Sequence, residues 1–198
     1  MLHGIDDLVL ALRELGDVLQ PVRVAAALRG VRIDARTLEP FMTWAPGRYT
    51  RNLVVRDAAF ELIAICWEKD ARSAIHDHAD SDCAFVVQRG AISCENYRVA
   101  YPDGFDKGPR DLRHTTTRTL REGEIDMRSG HLSVHRVGAC DGRAVTLHVY
   151  AKPIDACTVF DEDGNTRIMP SRYDTVPALR VTLSPSKGQD DTRGVTSA

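Results

Sequence analysis

The sequence predicts an all-β protein, an antiparallel barrel or jelly roll behind an N-terminal helical cap. Apolar residues recur at helical spacing near the N-terminus, whereas from Tyr49 onward short segments rich in β-branched and aromatic residues alternate with turn-forming ones. Eight or nine short strands after a helical cap favour an antiparallel sheet over a parallel α/β sheet.

The chain has 198 residues, which is enough for one sizeable core and short for two. We therefore expect a single domain over residues 1–182, with the cap in residues 1–45 and the barrel in residues 46–182. Residues 183–198 are polar, rich in Gly, Ser and Asp, and lack apolar periodicity, so they predict a mobile tail.

Three helices are predicted in the cap. Apolar residues repeat at helical spacing over residues 2–19, and Pro21 is expected to halt this helix. A second helix fits residues 22–28, and a short third one fits residues 35–41.

The predicted strands begin after this cap and run to the end of the barrel. The Asp163-Gly164-Asn165 turn predicts a final hairpin to a strand near residues 166–169. The other strands are expected at residues 51–56, 59–67, 83–89, 91–99, 114–121, 132–138, 144–150 and 157–161. Side chains alternate inward and outward in a small barrel, so inward residues from separate hairpins can converge on a cavity.

The composition indicates an ordinary globular protein that acts on small molecules. The chain has 26 basic and 28 acidic residues, a formal charge of −2, which gives no electrostatic reason to expect nucleic acid or an anionic membrane as a partner. Asp6 and Asp7 stand where a secretory signal would need positive charge, so we expect a cytoplasmic protein. The five scattered cysteines include no CxxC pair, which argues against a disulfide framework and a zinc knuckle.

The segment His76-Asp77-His78 predicts a metal site. Residues i and i+2 of an extended chain share a face, so His76 and His78 can meet one ion while Asp77 points away. Such pairs also arise by chance on solvated strands, so the surroundings of the pair decide between the two interpretations.

Those surroundings resemble the two motifs of the cupins. Cys83 and Gly90 follow the histidine pair with the spacing of the first motif, with cysteine where glutamate is usual. Residues 123–130 and His135 loosely resemble the second motif, which supplies the last histidine, but its usual proline is missing. The resemblance implies a cupin-type antiparallel β-barrel.

The similarity is more specific to one cupin family, the cysteine dioxygenases among the thiol dioxygenases, and covers roughly residues 49–161. It implies a non-haem iron(II) ion held by three neutral histidines, here His76, His78 and His135. His131 is the alternative third ligand; His135 is preferred because its His-Arg-Val context matches. The segments in matching order are Tyr49-Thr50-Arg51-Asn52, Cys66-Trp67, Ile75-His76-Asp77-His78, Ser81, Cys83, His135-Arg136-Val137 and Leu147-His148-Val149-Tyr150.

The resemblance implies a dioxygenase that converts L-cysteine to cysteine sulfinic acid. Three protein ligands leave open positions on iron(II) for a thiolate and O2, and no organic cofactor or external reductant is needed. Two alternatives remain: the same reaction on another carboxylated thiol, 3-mercaptopropionate or mercaptosuccinate, and a metal-binding cupin without catalytic activity. Relatives are mostly monomers, which is the expectation here.

Matching positions also imply roles for residues around the ion. Arg51 would hold the substrate carboxylate with its planar fork, and arginine at this place goes with cysteine as substrate, whereas glutamine goes with 3-mercaptopropionate. Tyr150 would aim its hydroxyl at the iron, His148 would hold that hydroxyl, and Thr146 would hydrogen-bond His148. Cys83 and Tyr150 match a pair that some members join by a thioether.

One departure from the family lies after Tyr150. Ala151-Lys152-Pro153 stands where Ser-Pro-Pro with a cis bond is usual, and a trans bond is expected here because cis costs several kcal/mol before a residue other than proline. Lys152 is either solvated or a second cation in the pocket, which would favour mercaptosuccinate. Other aromatic, histidine and cysteine residues are expected to have packing or surface roles only: Trp67, Cys157, His3 and His114.

Overall fold

The computed structural model describes residues 4–16, 19–100 and 110–177, so the predicted tail and His3 lie outside the described residues. The helices are α1 (Ile5–Arg13), α2 (Pro21–Leu28) and α3 (Ala35–Leu38), followed by a 3₁₀ turn, Glu39–Phe41. The described strands are β1 (Tyr49–Arg56), β2 (Glu61–Trp67), β3 (Ile75–His76), β4 (Asp82–Arg89), β5 (Ala91–Ala100), β6 (Asp111–Arg121), β7 (Ile125–Ser129), β8 (His135–Ala139), β9 (Ala144–Ala151), β10 (Ala156–Phe160) and β11 (Thr166–Pro170).

The strands form two antiparallel sheets, which confirms the predicted all-β class. One sheet has the order β1-β2-β9-β4-β7 and the other the order β11-β10-β3-β8-β5-β6. Every β-strand neighbour in both sheets runs antiparallel, as expected when consecutive strands are joined by hairpins and longer crossovers without intervening helices.

Strand β2 separates two apolar cores because it is buried on both faces. Its residues Leu62, Ala64 and Cys66 pack in one cluster with the N-terminal helices, whereas Ile63 and Ile65 pack in a second cluster that includes residues of both sheets. Since side chains of a strand alternate between faces, β2 contributes to both clusters, as do its sheet neighbours β4 and β9.

The first helix is shorter than predicted. It ends at Arg13, and the N–H groups of Leu15 and Gly16 bond the carbonyls of Leu12 and Arg13, with Gly16 at φ +94°. Glycine adopts this left-handed conformation without a Cβ clash, so the chain leaves the helix well before Pro21. The expectation that Pro21 halts the first helix was wrong: it is the first residue of α2, where its fixed φ suits the helical turn.

Strand β7 was not predicted, because it is a short and mostly polar segment. The strand expected to carry both His76 and His78 has only two residues, Ile75 and His76. The segment predicted over residues 132–138 begins as a strand only at His135, because residues 130–132 form a 3₁₀ turn.

Within the described residues, each helix is too short or too polar to cross a bilayer.

Candidate metal centre

Three histidines converge at the inner face of the six-stranded sheet. His76 on β3 is paired in register with His135 on β8, and their ring centroids lie 4.7 Å apart. The His78 ring centroid lies 5.3 Å from that of His76 and 4.9 Å from that of His135. One ligand atom from each residue lies within 4.8 Å of the other two, a spacing that one ion can bridge.

The histidine pair does not lie on one strand as predicted, because β3 ends at His76. Asp77 organises the segment instead: its Oδ1 accepts hydrogen bonds from the backbone N–H groups of Ala79, at 3.1 Å, and Thr158, at 2.8 Å. Its Oδ2 lies 2.9 Å from His131 Nδ1. A buried carboxylate thus fixes the short turn that returns His78 to the side of His76.

His131 and His135 are separated by this arrangement. The His131 side chain is 62% exposed and contacts Asp77, whereas His135 is 2% exposed and lies beside the other two rings. Of the two alternatives for the third ligand, the geometry therefore brings His135 into the cluster and leaves His131 at the surface.

Burial keeps the three imidazoles neutral, which suits metal binding. It lowers the pKa of His76 and holds the pKa values of His78 and His135 well below the ordinary range. His76 Nδ1 lies 3.0 Å from the Ala74 carbonyl, so in the neutral ring Nδ1–H donates to that carbonyl and Nε2 keeps a free lone pair. The buried Nδ1 of His78 has no hydrogen-bond partner in the described part of the chain. The donor set therefore fits a divalent transition metal that accepts imidazole.

A cavity of about 630 Å³ opens beside the histidines. This volume lies within the range of small-molecule sites and exceeds what a molecule the size of cysteine needs. A smaller space of about 30 Å³ adjoins all three rings together with Tyr150 and His148. The residues that bound the larger cavity on the ligand side are Arg51, His76, His78 and Tyr150.

Arg51 is held with an unused donor at this cavity. Its Nη2 donates to Ser171 Oγ at 3.0 Å, and its backbone N–H and carbonyl both bond Asp174. Its Nε is buried without a hydrogen-bond partner among the described residues. Although burial opposes the charge, Tyr150, Tyr49 and Glu61 raise the pKa of Arg51, so the guanidinium stays charged.

Glu61 lies beside Arg51 and was not singled out from the sequence. It is fully buried, and its Oε2 accepts hydrogen bonds from Tyr173, at 2.6 Å, and Arg56, at 2.9 Å. Its Oε1 lies 3.9 Å from Arg51 Nη2, too far for a hydrogen bond. Burial raises the pKa of the Glu61 carboxyl. Glutamate side chains are mostly exposed to solvent, so a glutamate at the start of a strand is expected at the surface. The sequence therefore gave no indication of this buried contact.

Cys83 and Tyr150 are direct neighbours across β4 and β9. Both are buried, and burial raises the pKa of the Cys83 thiol and of the Tyr150 phenol, so both keep their protons at neutral pH. Directly opposite residues in such a pair have Cβ atoms about 4.5–5.5 Å apart. The register therefore places the two side chains next to each other on the same face of the sheet.

His148 makes one of its two predicted contacts, with Thr146, but not the other. Trp67 Nε1 donates to Thr146 Oγ1 at 2.9 Å, and Thr146 Oγ1 lies 2.8 Å from His148 Nε2, which confirms the predicted Thr146 contact. The other ring nitrogen, Nδ1, lies 3.9 Å from Cys83 Sγ. The expected bond from His148 to the Tyr150 hydroxyl is not formed among the described residues, since the two ring nitrogens face Thr146 and Cys83. The charged neighbour of the Tyr150 phenol is Arg51, whose guanidinium carbon lies 5.9 Å from the centroid of the phenol ring. Trp67, expected only to pack, thus also fixes the Thr146 hydroxyl.

Lys152 points away from the cavity. Its side chain is 60% exposed and pairs with Asp80, as one of the two alternatives supposed. No cis peptide bond occurs in the described residues, so the Ala151–Lys152 bond is trans, as expected. The backbone at Lys152 has φ +113°, and its carbonyl accepts a hydrogen bond from Ser81 Oγ at 2.7 Å. Lys152 therefore adds no second cation to the pocket.

Two other residues singled out from the sequence have simple positions. Cys157 lines the cavity, and His114 is exposed.

Acid should destabilise the metal-free protein because four histidines of the site have lowered pKa values: His76, His78, His135 and His148. Below about pH 6.5 the histidines of the unfolded chain bind protons, whereas the native rings stay neutral. Each ring therefore lowers the free energy of unfolding by up to about 1.4 kcal/mol per pH unit. The raised pKa of Glu61 acts in the opposite direction, but it is one group against four. We expect the free energy of unfolding in urea to fall by more than about 2 kcal/mol between pH 7.5 and pH 5.5. An unchanged or increased value would contradict the assignment of neutral buried rings.

Comparison with known proteins gives a consistent result over most of the chain. A family model described as cysteine dioxygenase type I matches residues 6–163. The rat (Rattus norvegicus) protein named cysteine dioxygenase type 1 is 32% identical over 161 residues, covering 79% of this chain and 78% of the rat protein. The human protein of that name is 30% identical with the same coverage, and the Danio rerio protein is 27% identical over 163 residues, covering 80% and 79%.

Solved structures resemble the chain only in part. The TT1209 protein from Thermus thermophilus has a TM-score of 0.45 and 16% identity, covering 58% of this chain and 93% of that one. A cupin 2 conserved barrel domain protein from Rhodopseudomonas palustris has a TM-score of 0.44 and 19% identity, covering 62% and 74%.

Proposed function

Because the chain belongs to the cysteine dioxygenase type I family, which makes it a thiol dioxygenase, we propose that it uses iron(II) to convert L-cysteine into cysteine sulfinic acid. The observation that carries the proposal is the convergence of three neutral imidazoles around a small space that Arg51 also lines and that adjoins the larger cavity. Three neutral ligands leave the full charge of the ion available to an anionic thiolate.

The reaction balances without a further reactant. R–SH and O2 give R–SO2H: the sulfur gains both oxygen atoms and is oxidised, O2 is reduced, and no external reductant or organic cofactor takes part. The contribution of the ion, when bound by His76, His78 and His135, is to promote loss of the thiol proton and to activate O2.

The protein side chains orient the substrate. Arg51 binds the carboxylate through charge-assisted hydrogen bonds, which its unpartnered Nε supports. Burial raises the pKa of the Tyr150 phenol, so its hydroxyl stays protonated and donates to the reacting groups beside the histidines. Burial holds the pKa of His148 well below its ordinary range, so the ring accepts from Thr146 and presents Nδ1–H toward Cys83. Together these contacts align the sulfur next to the histidine cluster.

The substrate is tested by oxygen uptake of iron-loaded protein with L-cysteine, 3-mercaptopropionate, mercaptosuccinate and cysteamine. We expect the highest kcat/KM with L-cysteine, because arginine and not glutamine stands at position 51 and the outward Lys152 adds no cation to the pocket. Arg48, which also lines the cavity, is paired with Asp174. Preference for 3-mercaptopropionate or mercaptosuccinate would overturn the cysteine assignment and keep the reaction. Uptake with none of the thiols would overturn the catalytic proposal itself.

The register of Cys83 and Tyr150 predicts a thioether cross-link during turnover. Sulfur would bond a carbon of the phenol ring, two hydrogen atoms would leave, and O2 would serve as the oxidant. Peptide mass spectrometry after incubation with iron, cysteine and O2 should find a linked species lighter by two hydrogen atoms. Cys83→Ser should abolish it, whereas Cys66→Ser, at a buried cysteine in the other core cluster, should retain it. A mass without this loss in the parent protein would contradict the prediction.

A further inference from the structure

A buried polar cluster adjoins His135 at its ring nitrogen Nδ1, and we define it as Cys94, Asp126 and Arg128. Cys94 belongs to β5 of one sheet, and Asp126 and Arg128 belong to β7 of the other. Cys94 is 1% exposed and Asp126 is 6% exposed. A charged cluster at this depth between two sheets is costly unless its groups satisfy one another.

The contacts within the cluster are nearly complete. Arg128 Nε donates to Asp126 Oδ2 at 2.7 Å, Nη1 donates to Asn96 Oδ1 at 2.6 Å, and Nη2 donates to Cys94 Sγ at 2.9 Å. Cys94 Sγ donates to Asp126 Oδ2 at 3.5 Å and lies 3.4 Å from His135 Nδ1. The cluster therefore reaches the histidine through one atom, the sulfur of Cys94.

The direction of the last hydrogen bond follows from counting protons. A thiol has one hydrogen, and Cys94 uses it toward Asp126. Toward His135 the sulfur can therefore only accept, so Nδ1 of His135 carries the ring proton. A neutral imidazole with its proton on Nδ1 has its lone pair on Nε2, the tautomer needed to bind an ion on the other side of the ring.

The cluster is not a second metal site, although Cys94, Asp126 and His135 offer ligand atoms within 4.8 Å of one another. The guanidinium of Arg128 already provides the positive charge that Asp126 needs, in an ion pair whose two side chains are 10% and 6% exposed. Arg118 Nη1 adds a contact to Asp126 Oδ1 at 3.5 Å. A divalent ion would have to displace two cations to reach these ligands.

We propose that Cys94, oriented by Asp126 and Arg128, is a positioning residue that fixes the tautomer and direction of His135. Metal-binding histidines usually donate their second N–H to a carboxylate or a backbone carbonyl; here a thiol is inserted between the imidazole and the carboxylate. The inference rests on the proposed function in one respect, that His135 is a metal ligand.

The test measures the affinity of metal-free protein for cobalt(II), followed by its visible absorption under anaerobic conditions. Removal of a group that supports a metal ligand weakens binding by about 10- to 100-fold, so Cys94→Ala should raise the cobalt dissociation constant by that factor. Cys94→Ser keeps an oxygen that can accept from Nδ1 and donate to Asp126, and should recover the affinity to within about fivefold. Cys94→Val replaces the alanine variant if that variant does not fold.

The matched control is Cys66→Ala. Cys66 is as buried as Cys94, at 1% exposure, but packs in the cluster under the helical cap, away from the histidines. The Cys66→Ala substitution removes the same side-chain atom, a sulfur, and should leave the affinity for cobalt(II) unchanged. Equal affinities of the Cys94→Ala, Cys66→Ala and parent proteins would overturn the inference alone. A parent protein that binds no cobalt would overturn both the inference and the proposed metal site.

Discussion

Replacement of His135 by alanine is expected to abolish thiol-dependent oxygen uptake and to weaken iron(II) or cobalt(II) binding by more than about 100-fold, beyond the effect expected for a residue that only supports a ligand. The imidazole is buried, neutral and within 4.9 Å, centroid to centroid, of the His76 and His78 rings. Two remaining ligands cannot hold the ion in a defined geometry. Metal titration and oxygen-electrode measurements check this result, with circular dichroism to verify that the variant folds.

The matched control is His131→Ala, four residues away. His131 is the alternative third ligand by sequence, but it is largely exposed and contacts Asp77. Metal affinity and uptake should stay within about threefold of the parent protein, since the backbone donors to Asp77 remain. Loss of metal binding in His131→Ala but not in His135→Ala would reverse the assignment of the third ligand.

Arg51→Gln should lower kcat/KM for L-cysteine by roughly 100-fold or more, because two charge-assisted hydrogen bonds to the carboxylate contribute about 1.5–3 kcal/mol each. Oxygen uptake as a function of thiol concentration measures the change. The thermal unfolding temperature of the variant should be measured as a control, because Glu61 loses a nearby positive charge. Glu61 keeps its hydrogen bonds from Arg56 and Tyr173.

Two comparisons separate a carboxylate clamp from a general disturbance of the pocket. Cysteamine has the amine and thiol of cysteine but no carboxylate, so its kcat/KM should change by less than about threefold in Arg51→Gln. Arg48→Gln removes another arginine of the cavity wall, one that is 57% exposed and paired with Asp174, and should affect both thiols little. An equal loss with cysteine and cysteamine in Arg51→Gln would remove the clamp assignment.

The sequence predicted the parts of the site that depend on local spacing. Alternation along β9 placed Thr146, His148 and Tyr150 on one face, and Thr146 does contact His148. The predicted bond from His148 to the Tyr150 hydroxyl was wrong, because the His148 ring nitrogens face Thr146 and Cys83, while the charged neighbour of Tyr150 is Arg51 on β1. A residue two places away on the same strand is not necessarily the partner that the side chain reaches.

Contacts between separate strands were beyond the sequence pattern. The segment that became β7 reads as polar loop, so Asp126 and Arg128 had no predicted face, and Cys94 was one of five scattered cysteines. Ser171 meets Arg51 because the chain after β11 returns to the first strand, where Asp174 bonds the Arg51 backbone. Glu61 comes near Arg51 from the neighbouring strand β2. Such long-range pairings follow from sheet order, which a single sequence does not encode locally.

In the proposed reaction, both atoms of O2 are added to a thiol sulfur beside this histidine cluster. Iron-loaded protein should be incubated with L-cysteine under ¹⁸O-labelled O2 in unlabelled water, and the product analysed by mass spectrometry. We predict cysteine sulfinic acid in which both sulfinate oxygens carry the label, with one O2 consumed per molecule formed. A product with a single labelled oxygen, or disulfide as the only product, would contradict the account.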